Sequence, residues 1–166
     1  MSQIRHCAHA HVWKTIEIGL WRNTEQIRSS LAHVGSRTSK KVNELLERIV
    51  LTDGVPSYFS LAVVAVWELG FSGATNFGQI RQRARSNGLS LCPAETAPLL
   101  RYQYAHQPPL DRLIVAMRPL YDSAKEAWLF SLGNTSCGID LAVERGYDSA
   151  YWGMGTRFIF WVQRKD

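Results

Sequence analysis

Four residues in one stretch, Cys92, Glu95, Arg101 and His106, are the side-chain types from which a small nucleophilic enzyme is built. They sit in and beside the run Gly88–Tyr104, Gly-Leu-Ser-Leu-Cys-Pro-Ala-Glu-Thr-Ala-Pro-Leu-Leu-Arg-Tyr-Gln-Tyr. A catalytic cysteine needs a lowered thiol pKa, usually from a helix N-terminus or a nearby cation. Pro93 at a first helical position would make Cys92 the N-cap, where the positive helix end favours a thiolate. Glu95 would then stand at N3, its carboxylate returning to the Cys92 backbone N–H. The plainer alternative makes Cys92 a small buried apolar residue at a strand end and Glu95 a capping residue alone. A general acid or base needs a second polar group aimed at the same atom, and the sequence fixes no geometry for Glu68 or Asp111.

A second chemistry is phosphate binding. Arg81, Arg83 and Arg85, with Gln79 and Gln82, give one helix a basic outer face, and Arg81 and Arg85 at i, i+4 share a side. Arg22, Arg28, Arg37, Lys40 and Lys41 add positive charge elsewhere. Such contacts give salt-sensitive, sequence-tolerant binding to nucleic acid; the alternative is a solvated helix face. Lys40 and Lys41 open a helix with no base-reading Asn, Gln or Arg cluster beyond them, so the first two helices read as an αα-hairpin and not a helix-turn-helix.

A third is metal binding. His6, Cys7, His9 and His11 cluster in residues 1–12, and His-rich tracts can hold zinc, nickel or copper. A structural site takes ligands from separated, folded segments, so the tract reads as a disordered leader with adventitious ligands and no dedicated metal or other cofactor is expected. The phosphate loop, dinucleotide fingerprint, nucleophile elbow and His-Glu-x-x-His motif are all missing, which argues against the common ATPases, Rossmann dehydrogenases, α/β-hydrolases and zincins.

These residues must be positioned by the elements around them. Trp13–Trp21 alternates as a strand with Ile16, Ile18 and Leu20 on one face. Asn23 caps a helix carrying Ile27, Leu31 and Val34, with Gln26 in the capping-box position and Gly35 as its end. A second helix starts near Thr38 or Ser39 and buries Val42, Leu45, Leu46 and Ile49. Ser60–Gly70 is nearly all apolar, and its alanines and leucines predict a helix closed by Gly70. Asn76 caps the arginine helix, whose inward face is Phe77, Ile80 and Ala84 and whose end is Asn87-Gly88. The last third turns to strands: Leu113–Met117, Trp128–Leu132 with a turn at Gly133–Ser136, Ile139–Val143 and Arg157–Val162.

The chain has 166 residues, 46% hydrophobic and 20% charged, which suits one globular domain and excludes the disordered class. Residues 13–166 read as a single α+β domain, N-terminal helices packed on a mostly antiparallel sheet that ends in a β-meander. Three cysteines without Cys-x-x-Cys spacing fit a reducing interior. The longest apolar run, Tyr58–Trp67, is too short for a bilayer, which needs about 20 residues; the expectation is a soluble cytoplasmic protein. The net charge of +5 permits a phosphate-bearing partner without requiring one.

The Gly88–Tyr104 run, with Glu68-Leu-Gly-Phe, Gln107-Pro and Ile114-Val-Ala-Met-Arg-Pro, resembles a group of uncharacterised bacterial hypothetical proteins sharing the pattern "ELGF…GL-L-CPAE…P-LR…Y…QP…AM-P". The likeness begins near Lys14 and leaves residues 1–12 outside. The group carries no known activity, so the resemblance implies no catalytic residues. The leading expectation is a bacterial, non-enzymatic binding or interaction protein with a protein or nucleic-acid partner. Its rivals are a nucleic-acid-associated protein using the arginine helix and an enzyme centred on Cys92, Glu95, Arg101 and His106.

Overall fold

The computed structural model describes residues 11–52 and 54–162. Its elements run β1 (Lys14–Ile18), α1 (Thr24–His33), α2 (Lys40–Leu46), β2 (Ser57–Ala65), a 3-10 turn (Val66–Leu69), β3 (Thr75–Asn76), α3 (Phe77–Ser86), β4 (Leu89–Ser90) and α4 (Thr96–Gln103). They continue with β5 (Arg112–Val115), β6 (Leu120–Tyr121), β7 (Ala127–Thr135), β8 (Gly138–Arg145), β9 (Tyr151–Trp152) and β10 (Arg157–Val162). The fold is α+β, with helices on a mostly antiparallel sheet and a C-terminal meander.

The helix ends follow local chemistry. Asn23 Oδ1 accepts from the Gln26 N–H at 3.0 Å, Ser39 Oγ from the Val42 N–H at 3.2 Å, and Asn76 Oδ1 from the Gln79 N–H at 2.9 Å. Each satisfies an N–H that has no partner inside its helix. Gln26 reaches back as the capping box requires, but to the N–H of Arg22, at 2.7 Å. The stripes Ile27 and Leu31, Val42, Leu45 and Leu46, and Phe77, Ile80 and Ala84 are all buried.

The main sheet has the order β1-β2-β10-β5-β7-β6, with β4 on β10 and β8 on β7. The last strand is inserted at the centre, antiparallel to β2 and parallel to β5. Paired residues share a face, so the register assigns the layers. Phe158, Ile114 and Ser131 are successive partners on one face, and Phe77 of α3 stacks on Phe158 with ring centroids 5.8 Å apart. Lys14 and Leu61 mark the other face, where the Lys14 ammonium lies 4.8 Å from the Tyr104 ring at the end of α4. α4 in turn packs on α1, through Trp21 and Tyr102.

Ser60–Gly70 corrects the helix expectation. It is the end of β2 followed by a single 3-10 turn. β1 pairs with Ser60 and Leu61 and β10 with Leu61–Ala65, and those ladders outweigh the helical preference of Leu61, Ala62 and Ala65. Gly70, at φ 86°, closes only the turn. β7 also runs past the expected bend at Gly133, so the hairpin turns at Ser136-Cys137.

Both sheet edges are covered where they would otherwise invite pairing. The Gln103 carboxamide accepts from the Glu17 N–H at 2.9 Å and donates to its carbonyl at 2.8 Å, so a side chain stands in for a strand beside β1. Arg37 does the same for β8 with its backbone, donating to Ile139 and accepting from Leu141, both at 3.0 Å. Gly19, at φ 78°, lets the chain leave β1 where an added Cβ would stand 2.7 Å from the Val55 carbonyl. No helix among the described residues is long and apolar enough to cross a membrane.

Candidate anion-binding cleft

The four residues of the nucleophile hypothesis are held apart by different tasks. Cys92 is not an N-cap. Its backbone N–H donates to Ala116 O at 2.8 Å, it forms a parallel bridge with Met117, and its thiol donates to Ile159 O at 3.7 Å. The side chain is 4% exposed, and burial pushes the thiol pKa upward, opposite to what a nucleophile needs. Residues 93–95 form a turn ahead of α4, with Thr96 N–H on Pro93 O at 3.0 Å, so the helix starts three residues later than a Cys92 cap requires.

Glu95 does not return to Cys92. Its buried carboxylate accepts from both the backbone N–H and the hydroxyl of Thr52, pinning the loop after α2. Arg101 is fully buried. Its guanidinium donates to Gln107 Oε1 at 2.6 Å, to Gly133 O at 3.2 Å, to Asp140 O at 3.5 Å and to Tyr104 O. Burial pulls its pKa down to about 10, against the opposing pull of Asp140 and Tyr104, so it stays cationic at neutral pH. It braces the loop after α4 against β7. His106 is exposed on that loop. No hydrogen bond or ion pair joins any two of the four among the described residues.

The arginine helix behaves differently. Arg83 turns away: it donates to Leu69 O at 3.0 Å and lies over the Phe71 ring at 5.0 Å, closing the 3-10 turn. Arg81 and Arg85, one turn apart on α3, line a cleft of about 580 Å³ together with Gln82, Ser90, Leu91 and Arg118. Arg81 is ion-paired with Asp148 at 2.8 Å, and Arg85 and Arg118 are exposed with no carboxylate within ion-pair distance among the described residues. Among the described residues the lining contains no Asp or Glu.

Arg118 escaped the sequence reading. It follows the buried Val115-Ala116-Met117, and Ala116 donates to Ile159 O at 2.9 Å while accepting from Cys92. The parallel Cys92–Met117 bridge runs Pro93 alongside Arg118, and Leu91 and Arg118 both line the cleft. The only sequence signal is a lone arginine breaking an apolar run before Pro119. Of the other proposed basic residues, Lys40 is exposed outside the cleft, and Lys41 is consumed by Asp122 at 2.5 Å and Glu44 at 3.1 Å.

Two further polar groups were not foreseen, and both are closed on themselves. Buried Ser131 accepts from Arg112 at 2.8 Å and donates to Glu144 at 3.1 Å, while Arg112 also reaches Asp140 at 3.1 Å. Gly133 lies under that pair, where an added Cβ would be 2.5 Å from Arg112 Nη2. The Asp122 carboxylate accepts from Lys41, from Trp128 Nε1 at 3.0 Å, and from the N–H groups of Ala124 at 2.9 Å and Glu126 at 2.8 Å.

Among the described residues no three His, Cys, Asp or Glu side chains come together in a way that would hold a metal ion. His6, Cys7 and His9 lie outside the described residues, and His11 is exposed. No protein-family model, curated protein or solved structure matches this chain, so the cleft is read from its own residues alone.

Proposed function

We propose that this is a non-enzymatic binding protein whose ligand is a phosphate-bearing polyanion, a nucleic acid, held in the Arg81–Arg85–Arg118 cleft. The observation that carries the reading is the convergence of three arginines from two separate segments on one concave site whose lining has no carboxylate. Guanidinium forks match phosphate oxygens bidentately, and among the described residues no acid pairs with Arg85 or Arg118 to compete with a ligand. Leu89, Leu91 and Phe160 give the cleft an apolar floor, and Gln82 and Ser90 add hydrogen-bonding groups. An apolar wall with a few polar groups is how ligand clefts of this size are built. The net charge of +5 draws a polyanion toward the surface. The enzyme alternative has less support, because Cys92 and Arg101 are buried in structural roles and Glu95 is engaged by Thr52.

The test is fluorescence anisotropy of nucleic-acid-free protein with a labelled single-stranded oligonucleotide, at low and at physiological salt. Binding that weakens steeply with salt, and that is lost when Arg85→Glu and Arg118→Glu are combined, is the expected result. Both side chains are exposed, so the double variant keeps its fold. Absence of binding at low salt, or full binding by the double variant, refutes the reading.

A further inference from the structure

We infer that the ligand is a single strand of nucleic acid that runs on from this cleft into a second one ending at Arg48; the inference rests on the anion-binding reading and adds the form of the ligand and its path. The second cleft, of about 350 Å³, is lined by Arg48, Val50, Cys92, Pro93, Ala94 and Leu120, among others. It shares Leu91 and Arg118 with the first. The two are therefore neighbouring segments of one groove, with Arg81 and Arg85 along one end, Arg118 at the middle and Arg48 at the far end.

Charge and apolar surface alternate along this path. Arg48 is exposed, with no carboxylate within ion-pair distance among the described residues, and the second cleft, like the first, has no Asp or Glu in its lining. With Arg118 and Arg48, the second cleft is lined by Pro93, Ala94, Pro119 and Leu120. A single strand presents this same alternation, with charged phosphates on one side and flat apolar base faces on the other. A duplex keeps its bases stacked inside and would offer the groove phosphates only, leaving the apolar wall wet. An acidic peptide would answer the arginines and leave the apolar stretch without a partner at each charge. The register also explains the central place of Cys92. Its bridge to Met117 joins the segment after β4 to the end of β5, which is the seam where the two clefts meet.

The experiment compares a dinucleotide, a single strand of about ten nucleotides and a duplex of that length, each with the natural protein, Arg48→Glu, and the Arg85→Glu, Arg118→Glu pair. The inference requires that the longer strand bind more tightly than the dinucleotide and the duplex. It also requires that Arg48→Glu weaken the longer strand at least about five-fold, leave the dinucleotide unchanged, and reduce the salt slope by about 0.7. Equal binding of dinucleotide and longer strand, with Arg48→Glu silent and the double variant still inactive, confines the ligand to the first cleft. That overturns the inference and leaves the anion-binding reading standing. Duplex binding as tight as single-strand binding overturns it, as does displacement by polyglutamate at lower concentration than by the oligonucleotide. If no oligonucleotide binds, the underlying reading fails and the inference falls with it.

Discussion

Arg101 is the largest fully buried side chain among the described residues, and replacing it tests whether the Gly88–Tyr104 junction is held by structure or reserved for ligand. Its guanidinium serves four acceptors on three segments: Tyr104 and Gln107 in the loop after α4, Gly133 on β7 and Asp140 on β8. Arg101→Ala would remove this donor from Tyr104 O and Gln107 Oε1, leave Gly133 O and Asp140 O to the β7–β8 ladder, and open a cavity. A hydrogen bond to a charged group is worth about 1.5–3 kcal/mol and such bonds are not additive, while truncating a large buried side chain to alanine costs about 2–5 kcal/mol. Part of this is offset, because a charge no longer has to be buried. The expected net loss is about 3–4 kcal/mol, a large part of the 5–15 kcal/mol typical of a domain. For a chain of this length it lowers Tm by about 6–16 °C, at 2–4 °C per kcal/mol.

The assay is thermal and urea unfolding followed by tryptophan fluorescence at pH 7, where Arg101 is charged. Arg101→Lys should recover part of the loss, since one ammonium cannot reach all four acceptors at once. Arg48→Ala, at an exposed residue, is the control and should stay within about 0.5 kcal/mol. If Arg101→Ala unfolds within about 2 °C of the natural protein, the bracing argument is wrong. The residue would then have to be explained by a ligand.

Two other outcomes follow from the same kind of accounting. The Lys41 hydrogen bond, helped by the Glu126 N–H and Trp128, holds the Asp122 carboxyl well below the ordinary aspartate range although burial opposes it. A carboxyl with a lower pKa folded than unfolded adds stability above the unfolded value of about 3.9, and that stability is lost as the pH falls below it. Asp122→Asn should therefore lower Tm at pH 7 and flatten its fall between about pH 4 and pH 2; an unchanged acid limb would exclude Asp122 as its source. Alkylation of native protein, read by peptide mass spectrometry, should modify exposed Cys137 at least about 100-fold faster than buried Cys92, and urea should equalise them. Comparable rates in the native state would reopen the nucleophile hypothesis.

Much of the local structure was legible in the chain. Asn23, Ser39 and Asn76 cap their helices, Gly35 and Gly88 end two of them, and the apolar stripes of α1, α2 and α3 are buried except for the expected Val34 and Ile49, which lie past the helix ends and are half-buried. These features depend on residues within about one turn of each other, so neighbours in sequence suffice to define them. The α+β class followed from the same periodicities. The cleft was half legible: Arg81 and Arg85 share a helix face by spacing alone.

What remained was decided by partners far away in sequence. Leu61, Ala62 and Ala65 do not choose between helix and strand until β10 pairs with all three and β1 with Leu61. Glu95 and Cys92 look like a capping pair in sequence, yet their partners are Thr52, Ala116 and Ile159. Arg118 and Arg48 line clefts only because the Cys92–Met117 bridge sets the segment after β5 against the one after β4, with the chain after α2 beside them. The physical reason is range: caps and stripes are fixed by contacts a few residues long, whereas sheet pairing and convergent charge depend on contacts that exist only once the whole chain has closed on itself.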